Sequence, residues 1–367
     1  MIIPNKKYKI ALIGYRLSGG GSDKVMANLS VFFEKSGIEV HTIIILDEVS
    51  FQYSGTLVNL GVLKNKSNGL FNKVKRLHAL QMYLKSNDFD FIIDFRFRTK
   101  PIQELVLSRI IYNTKTIFTV HSFLIDHYMP KSSWLTRFMY NHCYANVAIV
   151  DEMSDLILQK HNLKNVVTIA NPINLDEVTL NLNEEIDCNF EYIIAVGQYE
   201  NPIKQFDKLI VSYAHSILPK NKMRLLILGN GDQKKLKKVA RDNNVEDFVD
   251  LLGYQNNPYK YLKRAKFSVL CSQNEGLPNV ILESLACGTP VVSFDCPSGP
   301  KEIIRNHQNG ILVENQNFEK LTQAINLMIN DTDLYQRCQQ NAVESIHSFS
   351  LDKIGKQWLN LMNITPN

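Results

Sequence analysis

Short apolar runs alternate along the chain with longer stretches whose apolar positions recur every three or four residues. In the first half, runs at 9–15, 39–46, 89–95, 116–120, 146–150 and 166–170 predict strands. The helical spacings fall between them, at 23–35, 73–85, 101–111, 133–144 and 152–160. These strand runs are apolar throughout rather than alternating, the pattern of a parallel sheet covered on both faces. At Asn171-Pro172 the pattern breaks. Polar residues through Asn189, among them Asn181, Asn183, Glu184, Glu185 and Asp187, predict a connection. Alternation then restarts, with strands at 192–197, 224–229, 249–253, 267–271 and 290–294. Helices are expected at 206–216, 232–243, 257–265, 279–287, 301–305, 317–330 and 332–346. The chain therefore reads as α/β, two doubly wound domains facing across a cleft, with a ligand between the carboxyl ends of their sheets. Expected boundaries are 1–175, a linker 176–190, a second domain 191–349 and a segment 350–367. Ile354, Trp358, Leu359 and Leu361 in that last segment are expected to pack back on the first domain.

At 367 residues with 45% hydrophobic and 21% charged, each half is long enough for its own core, and wholesale disorder or coiled coil is excluded. No apolar run is long enough to span a bilayer as a helix, and the first apolar stretch is too short for a secretion signal. Six cysteines (143, 188, 271, 287, 296 and 338) form no CxxC pair and no zinc spacing. They suit reduced thiols in a cytoplasmic protein.

Charge is unevenly divided. The net charge is +5, yet residues 1–175 carry 21 Lys+Arg against 13 Asp+Glu and the remainder 20 against 23. A basic front half suits an anionic partner. Nucleic acid is disfavoured, because there is no zinc-finger spacing, no RNP-type aromatic stretch and no arginine-packed helix. A peripheral contact with an anionic membrane surface fits better, on the inner face of the cell membrane. Lys64, Lys66, Lys73, Lys75 and Arg76 interleave with Leu70, Phe71, Val74, Leu77 and Leu80; Trp134, Leu135, Phe138 and Met139 stand beside Lys131 and Arg137. Either set suits the headgroup layer, though each taken singly better suits a helix packing on its own domain.

The chemistry concentrates in the second half. Glu275 follows a buried strand, and Glu283 lies eight residues on, in the helix that Pro278 opens and Gly288 closes. The amino end of that helix is a natural place for a phosphate, and Glu283 can accept hydrogen bonds from a diol. This segment, 271–292, resembles the donor-site signature of retaining GT-B glycosyltransferases of family 4. Further matches are Gly19-Gly-Gly-Ser-Asp-Lys-Val25, Asn171-Pro172, 196–207, 228–232, 295–303 and 309–313. Within 295–303 the stretch Cys-Pro-Ser-Gly-Pro is similar to members that extend lipid-linked or envelope oligosaccharides.

The resemblance implies a GT-B fold with two Rossmann-like domains. It also implies retaining, metal-independent transfer from a UDP-sugar to a hydroxyl of a glycan or lipid-linked oligosaccharide. Lys204 would meet the diphosphate, Glu275 the sugar hydroxyls, Glu283 the ribose, and Gly276 and Leu277 would offer backbone N–H groups. Tyr254 would line the base pocket, Gly20 and Gly21 would border the diphosphate and acceptor, and His121 would contact the transferred sugar. No cofactor is implied beyond the nucleotide-sugar substrate. One position departs from the family: Gln198 stands where an Arg is usual, so the site loses a charge unless Lys301 or Arg305 compensates.

Arg96 and Arg98, alternating at the end of a strand, suit either an acceptor phosphate or a solvated strand end. Asp88-Phe-Asp90 and Asp331-Thr-Asp333 have the spacing of a metal-holding DxD, but neither adjoins the donor segment, so no metal site is expected. Three other readings are weighed. Gly19–Gly21 with Asp47 resembles a dinucleotide oxidoreductase start but lacks G-x-G-x-x-G spacing. A sugar-nucleotide epimerase shares the architecture, and Gln198 alone favours a non-catalytic binding protein.

Overall fold

The structure, a computed structural model, describes residues 7–64, 69–186 and 188–365. Lys66 and Asp187 lie outside them. The chain divides into two compact units, one holding residues up to Pro172 together with those from Leu351 onward, the other Ile173–Ser350.

In the first unit β1 (Lys9–Gly14), β2 (Glu39–Ile44), β3 (Thr56–Asn59), β4 (Phe91–Asp94), β5 (Lys115–Val120), β6 (Ala145–Ala148) and β7 (Val166–Thr168) form one sheet. The order is β3-β2-β1-β4-β5-β6-β7, and every pair is parallel. Helices α1 (Gly21–Lys35), α2 (Leu70–Lys85), α3 (Pro101–Val106), α4 (Ser133–Tyr140) and α5 (Asp151–His161) make the connections. Ile10, Leu12, Ile93, Ile117 and Val147 are fully buried, as continuous apolar strands require when both faces are covered.

The second unit opens with α6 (Leu175–Asn181) and continues β8 (Tyr192–Val196), α7 (Phe206–Ala214), β9 (Arg224–Leu228), α8 (Lys234–Asp242) and β10 (Val249–Gly253). Next come α9 (Tyr259–Arg264), β11 (Ser268–Leu270), α10 (Asn279–Ala286), β12 (Val291–Asp295), α11 (Pro300–Ile303), β13 (Gly310–Glu314), α12 (Phe318–Asn330) and α13 (Thr332–Ser345). Its parallel sheet has the order β10-β9-β8-β11-β12-β13. The final helix, α14 (Leu351–Met362), returns to the first unit. There Ile354, Trp358 and Leu359 join a core with Phe32 and Phe33 of α1, and Leu361 packs against it half-buried.

Three elements differ from the expected pattern. β3 is a four-residue, partly exposed edge strand with no apolar run to announce it. β13 lies in a stretch read only as a motif. The expected connection begins as a helix, because Asn174 caps α6 by accepting the Glu177 N–H, and Val178 is buried beneath it.

The expectation of a phosphate for Arg96 and Arg98 is corrected. Both are 1% exposed. Arg96 Nη2 reaches Asp94 Oδ2 at 2.7 Å and Glu104 Oε2 at 2.9 Å, and Tyr112 Oη donates to Asp94 Oδ2. Arg98 donates to the carbonyls of Tyr128, Arg96 and Thr119 and lies over the rings of Phe118, Tyr128 and Tyr140. Burial works against the Arg96 charge, but Asp94, Tyr112 and Glu104 together hold it well above the usual range. Replacing Arg96 with Met leaves two buried carboxylates without their cation. The expected cost is about 3–5 kcal/mol, read as a lower midpoint in denaturant. A triple variant that also carries Asp94→Asn and Glu104→Gln is expected to recover much of it.

Candidate functional site

In a doubly wound sheet the crevice opens where strand order reverses, because neighbouring connections there leave on opposite faces. In the second unit that point lies between β8 and β11. The loop after β8 carries Asn201, whose side chain accepts the Ile203 N–H and starts a single 3₁₀ turn ending at Lys204. The loop after β11 carries Glu275. Lys204 Nζ meets Glu275 Oε1 at 2.7 Å, the side chains 19% and 14% exposed.

The two loops are sewn together beneath this pair. Gln205 Nε2 donates to the Cys271 carbonyl at 2.9 Å, and the Gln273 N–H donates to the Ile203 carbonyl at 2.9 Å. Cys271 Sγ lies 3.2 Å from the Lys204 carbonyl, and burial pushes its thiol up to about 12, so it is a packed group and not a nucleophile.

A third loop, after β12, clasps the second. Ser298 Oγ lies 3.1 Å from the Glu275 carbonyl and 3.0 Å from that of Gly276, and the Glu275 N–H donates to the Pro297 carbonyl. Gly299 has φ of +101°, and a Cβ there would stand 2.1 Å from the Gly276 oxygen, so glycine alone fits. On the other side, a Cβ on Gly229, after β9, would stand 1.6 Å from the Gly197 oxygen. That contact lets the ends of β8 and β9 close up, with Tyr199 Oη bridging the Ile227 carbonyl and the Gly253 N–H.

The remaining expected donor residues share this carboxyl edge. Gln198 is exposed on the turn after β8, and Tyr254 is half-exposed after β10. Leu277 is buried before α10, and Glu283 is half-buried on α10, close enough to Tyr259 for its charge to add to the burial that raises that phenol. Lys301 is exposed in the first turn of α11, two residues after Gly299.

In the first unit the corresponding reversal lies between β1 and β4. Gly19, Gly20 and Gly21 follow β1, and Gly20 caps α1. Four residues, none of them a site candidate in the sequence reading, brace this turn. Arg16 Nη1 donates to Glu48 Oε2 at 2.7 Å, Arg16 Nε lies 3.4 Å from Asp23 Oδ2, and Ser18 Oγ lies 3.3 Å from Glu48 Oε2. Burial raises the Asp23 carboxyl to about 6 although Arg16 opposes it. The only signal in the sequence is the placing of Arg16 and Asp23 on either side of the glycines.

His121 follows β5 and stacks on Phe95, centroids 5.6 Å apart. Both ring nitrogens are shielded from solvent, and neither makes a well-aligned hydrogen bond among the described residues. Burial lowers its pKa to about 3, the Asn171 side chain opposing and the Arg98 charge assisting, so the ring is neutral at working pH. In the two aspartate pairs, Asp90 Oδ2 accepts the Lys9 N–H, and Asp331 caps α13 by accepting the Leu334 N–H.

Residues 182–345 match the model of the glycosyl transferases group 1, and residues 19–177 that of glycosyltransferase family 4. An uncharacterised glycosyltransferase of Methanocaldococcus jannaschii is 30% identical over 296 residues, covering 67% of this chain and 71% of that protein. The chain belongs to glycosyltransferase family 4. This glycosyltransferase is also 28% identical, over 96% of its length and 98% of the other's, to a protein of Campylobacter jejuni subsp. jejuni serotype O:2. That protein is the N-acetylgalactosamine-N,N'-diacetylbacillosaminyl-diphospho-undecaprenol 4-alpha-N-acetylgalactosaminyltransferase. The crystal structure of Anabaena HepE in complex with UDP-glucose matches with a TM-score of 0.76 at 15% identity, covering 97% of this chain and 99% of that one. Its fold, and the fold of this glycosyltransferase, is GT-B. The oxidoreductase, epimerase and non-catalytic readings give way to this membership.

Two outcomes follow from the geometry. Gly299→Ala is expected to displace the Glu275–Leu277 loop and weaken nucleotide-sugar binding about five- to a hundredfold in calorimetry, since the strain is about 1–3 kcal/mol. For His121, the unfolded chain takes up a proton near the ordinary pKa of about 6.5 that the folded chain refuses until about 3. Stability therefore falls as pH drops through that window, by at most about 1.4 kcal/mol per pH unit. The His121→Gln variant is expected to show a shallower fall of the melting midpoint in acid.

Proposed function

We propose that this glycosyltransferase is a retaining, metal-independent enzyme that moves a sugar from a UDP-sugar to a hydroxyl of a glycan or lipid-linked oligosaccharide in envelope or exopolysaccharide synthesis. The observation that carries the reading is the Lys204–Glu275 pair at the strand-order reversal of the second unit. It is supported by the UDP-glucose named for HepE and by the diphospho-undecaprenol acceptor named for the Campylobacter relative. In this reading Lys204 swings from Glu275 to the donor diphosphate, and Glu275 turns its oxygens to the sugar hydroxyls. Gln198 adds a neutral hydrogen bond, Gly276 and Leu277 add backbone contacts, and Lys301 supplies the second positive charge that Gln198 lacks. Tyr254 stacks on the base and Glu283 holds the ribose.

The acceptor oxygen attacks the anomeric carbon on the face from which the nucleotide leaves. The carbon–oxygen bond to UDP breaks, and the leaving phosphate oxygen takes the acceptor proton. Lys204 stabilises the negative charge that grows on that oxygen. A cytoplasmic enzyme in peripheral contact with the inner face of the membrane meets a lipid-linked acceptor there, and no helix among the described residues is long and apolar enough to cross a membrane.

Lys204→Ala and Glu275→Gln are each expected to lower kcat for acceptor-dependent UDP release by about 10²–10³, with circular dichroism unchanged. Full activity in either variant discards the assignment.

A further inference from the structure

The opposite edge of the first unit's sheet, at the amino ends of β5 and β6, holds a cavity of about 500 Å³. Its lining includes Arg109, Lys115 and His142, and none of its lining residues is acidic. Arg109 stands on a π-helical turn, Leu107–Ile111, a local widening of the helix that is frequent at functional positions. Lys115 opens β5, with its ammonium 5.2 Å from the Phe91 ring centre and 5.5 Å from that of Tyr144. Neither Arg109 nor Lys115 has a carboxylate partner among the described residues. The buried acids Asp94 and Glu104 pair with Arg96, and Asp94 also accepts from Tyr112 of the lining.

An apolar face adjoins this cationic mouth. Trp134 and Phe138 lie one turn apart on α4, 68% and 43% exposed, their rings stacked at 5.7 Å with 9° between planes. The Arg109 guanidinium sits 4.9 Å over the Phe138 ring, so the aromatic face and the cavity are one surface. Ile110, 65% exposed, extends it from the π turn. Met139, the next residue of α4, turns inward and lines the cavity. Half of the apolar set on α4 therefore packs inside, and the other half faces out. On α2, by contrast, Phe71 and Val74 are exposed, but Arg76 is tied to the Ile45 carbonyl.

We propose that this edge docks on an anionic membrane, the cavity taking a lipid headgroup phosphate between Arg109 and Lys115 while Trp134 and Phe138 enter the interfacial layer. Two flat, stacked aromatic rings bordered by unpaired cations suit the boundary between headgroups and acyl chains, where an apolar body and a nearby positive charge are both accommodated. The inference deepens the membrane contact proposed above and rests on it, but it is independent of the donor chemistry of the second unit.

The test is co-sedimentation of the full chain with phosphatidylglycerol-containing vesicles and with phosphatidylcholine vesicles, together with the emission of Trp134. Trp358 is buried and serves as the constant background. The wild type is expected to favour the anionic vesicles and to shift its emission to the blue. Arg109→Glu with Lys115→Glu is expected to lower the anionic partition by about tenfold or more, and Trp134→Ser with Phe138→Ser to lower binding to both vesicle types. Should the charge-reversed chain melt early, Arg109→Gln with Lys115→Gln replaces it, with a smaller loss in the same direction. UDP release with a soluble acceptor is expected to be unchanged in all of these variants, which separates failed docking from failed transfer. An unchanged partition in the charge variants overturns the proposal. So does an emission change that saturates with inorganic phosphate while vesicles remain unbound, which would make the cavity a site for a free phosphate.

Discussion

An ammonium and a carboxylate, both largely withdrawn from water, meet where the order of the second sheet reverses. Each partly buried charge is balanced by the other, the side chains 19% and 14% exposed. The loops that carry them must therefore hold a common register, and the surrounding contacts are arranged for that. Gln205 ties one loop to the Cys271 carbonyl, Gln273 ties the other to Ile203, and Ser298 fixes Glu275 and Gly276 from a third strand end. In the function proposed above, an arriving diphosphate exchanges one anionic partner of the lysine for another.

The parallel sheet explains why these loops converge. Every strand ends on the same edge, so β8, β9, β10, β11 and β12 deliver their following residues to one side. Close approach of those ends is limited by backbone, and Gly229 and Gly299 mark where the backbones come nearest. The first unit repeats the scheme with Gly19–Gly21 and His121, but its charges pair with one another. Arg16 is held between Asp23 and Glu48, and Arg96 between Asp94 and Glu104.

What was legible in the sequence is what depends on near neighbours. The alternation of apolar runs and helical spacings gave most of the strands and helices, and Glu275, Pro278 and Gly288 announced a loop and helix by chemistry confined to that stretch. Burial of charge was not legible. Arg96 reads as a strand-end cation until Asp94, Glu104 and Tyr112 are brought round it from a strand, a helix and the segment after a π turn. The brace of Arg16, Asp23 and Glu48 depends likewise on a partner thirty-two residues away. α6 was hidden for another reason: its cap and acidic first turn favour a helix, but so polar a composition reads as a connection.

The return of α14 fixes an order of events during synthesis. The second unit is made between the two parts of the first, and its entry and exit are joined where the Ile173 N–H donates to the Phe349 carbonyl. Ile354, Trp358 and Leu359 emerge from the ribosome only after that unit has been translated, while the groove they fill beside Phe32 waits open. The amino-terminal half is therefore the last to be sealed, and until then it presents bare apolar surface to chaperones.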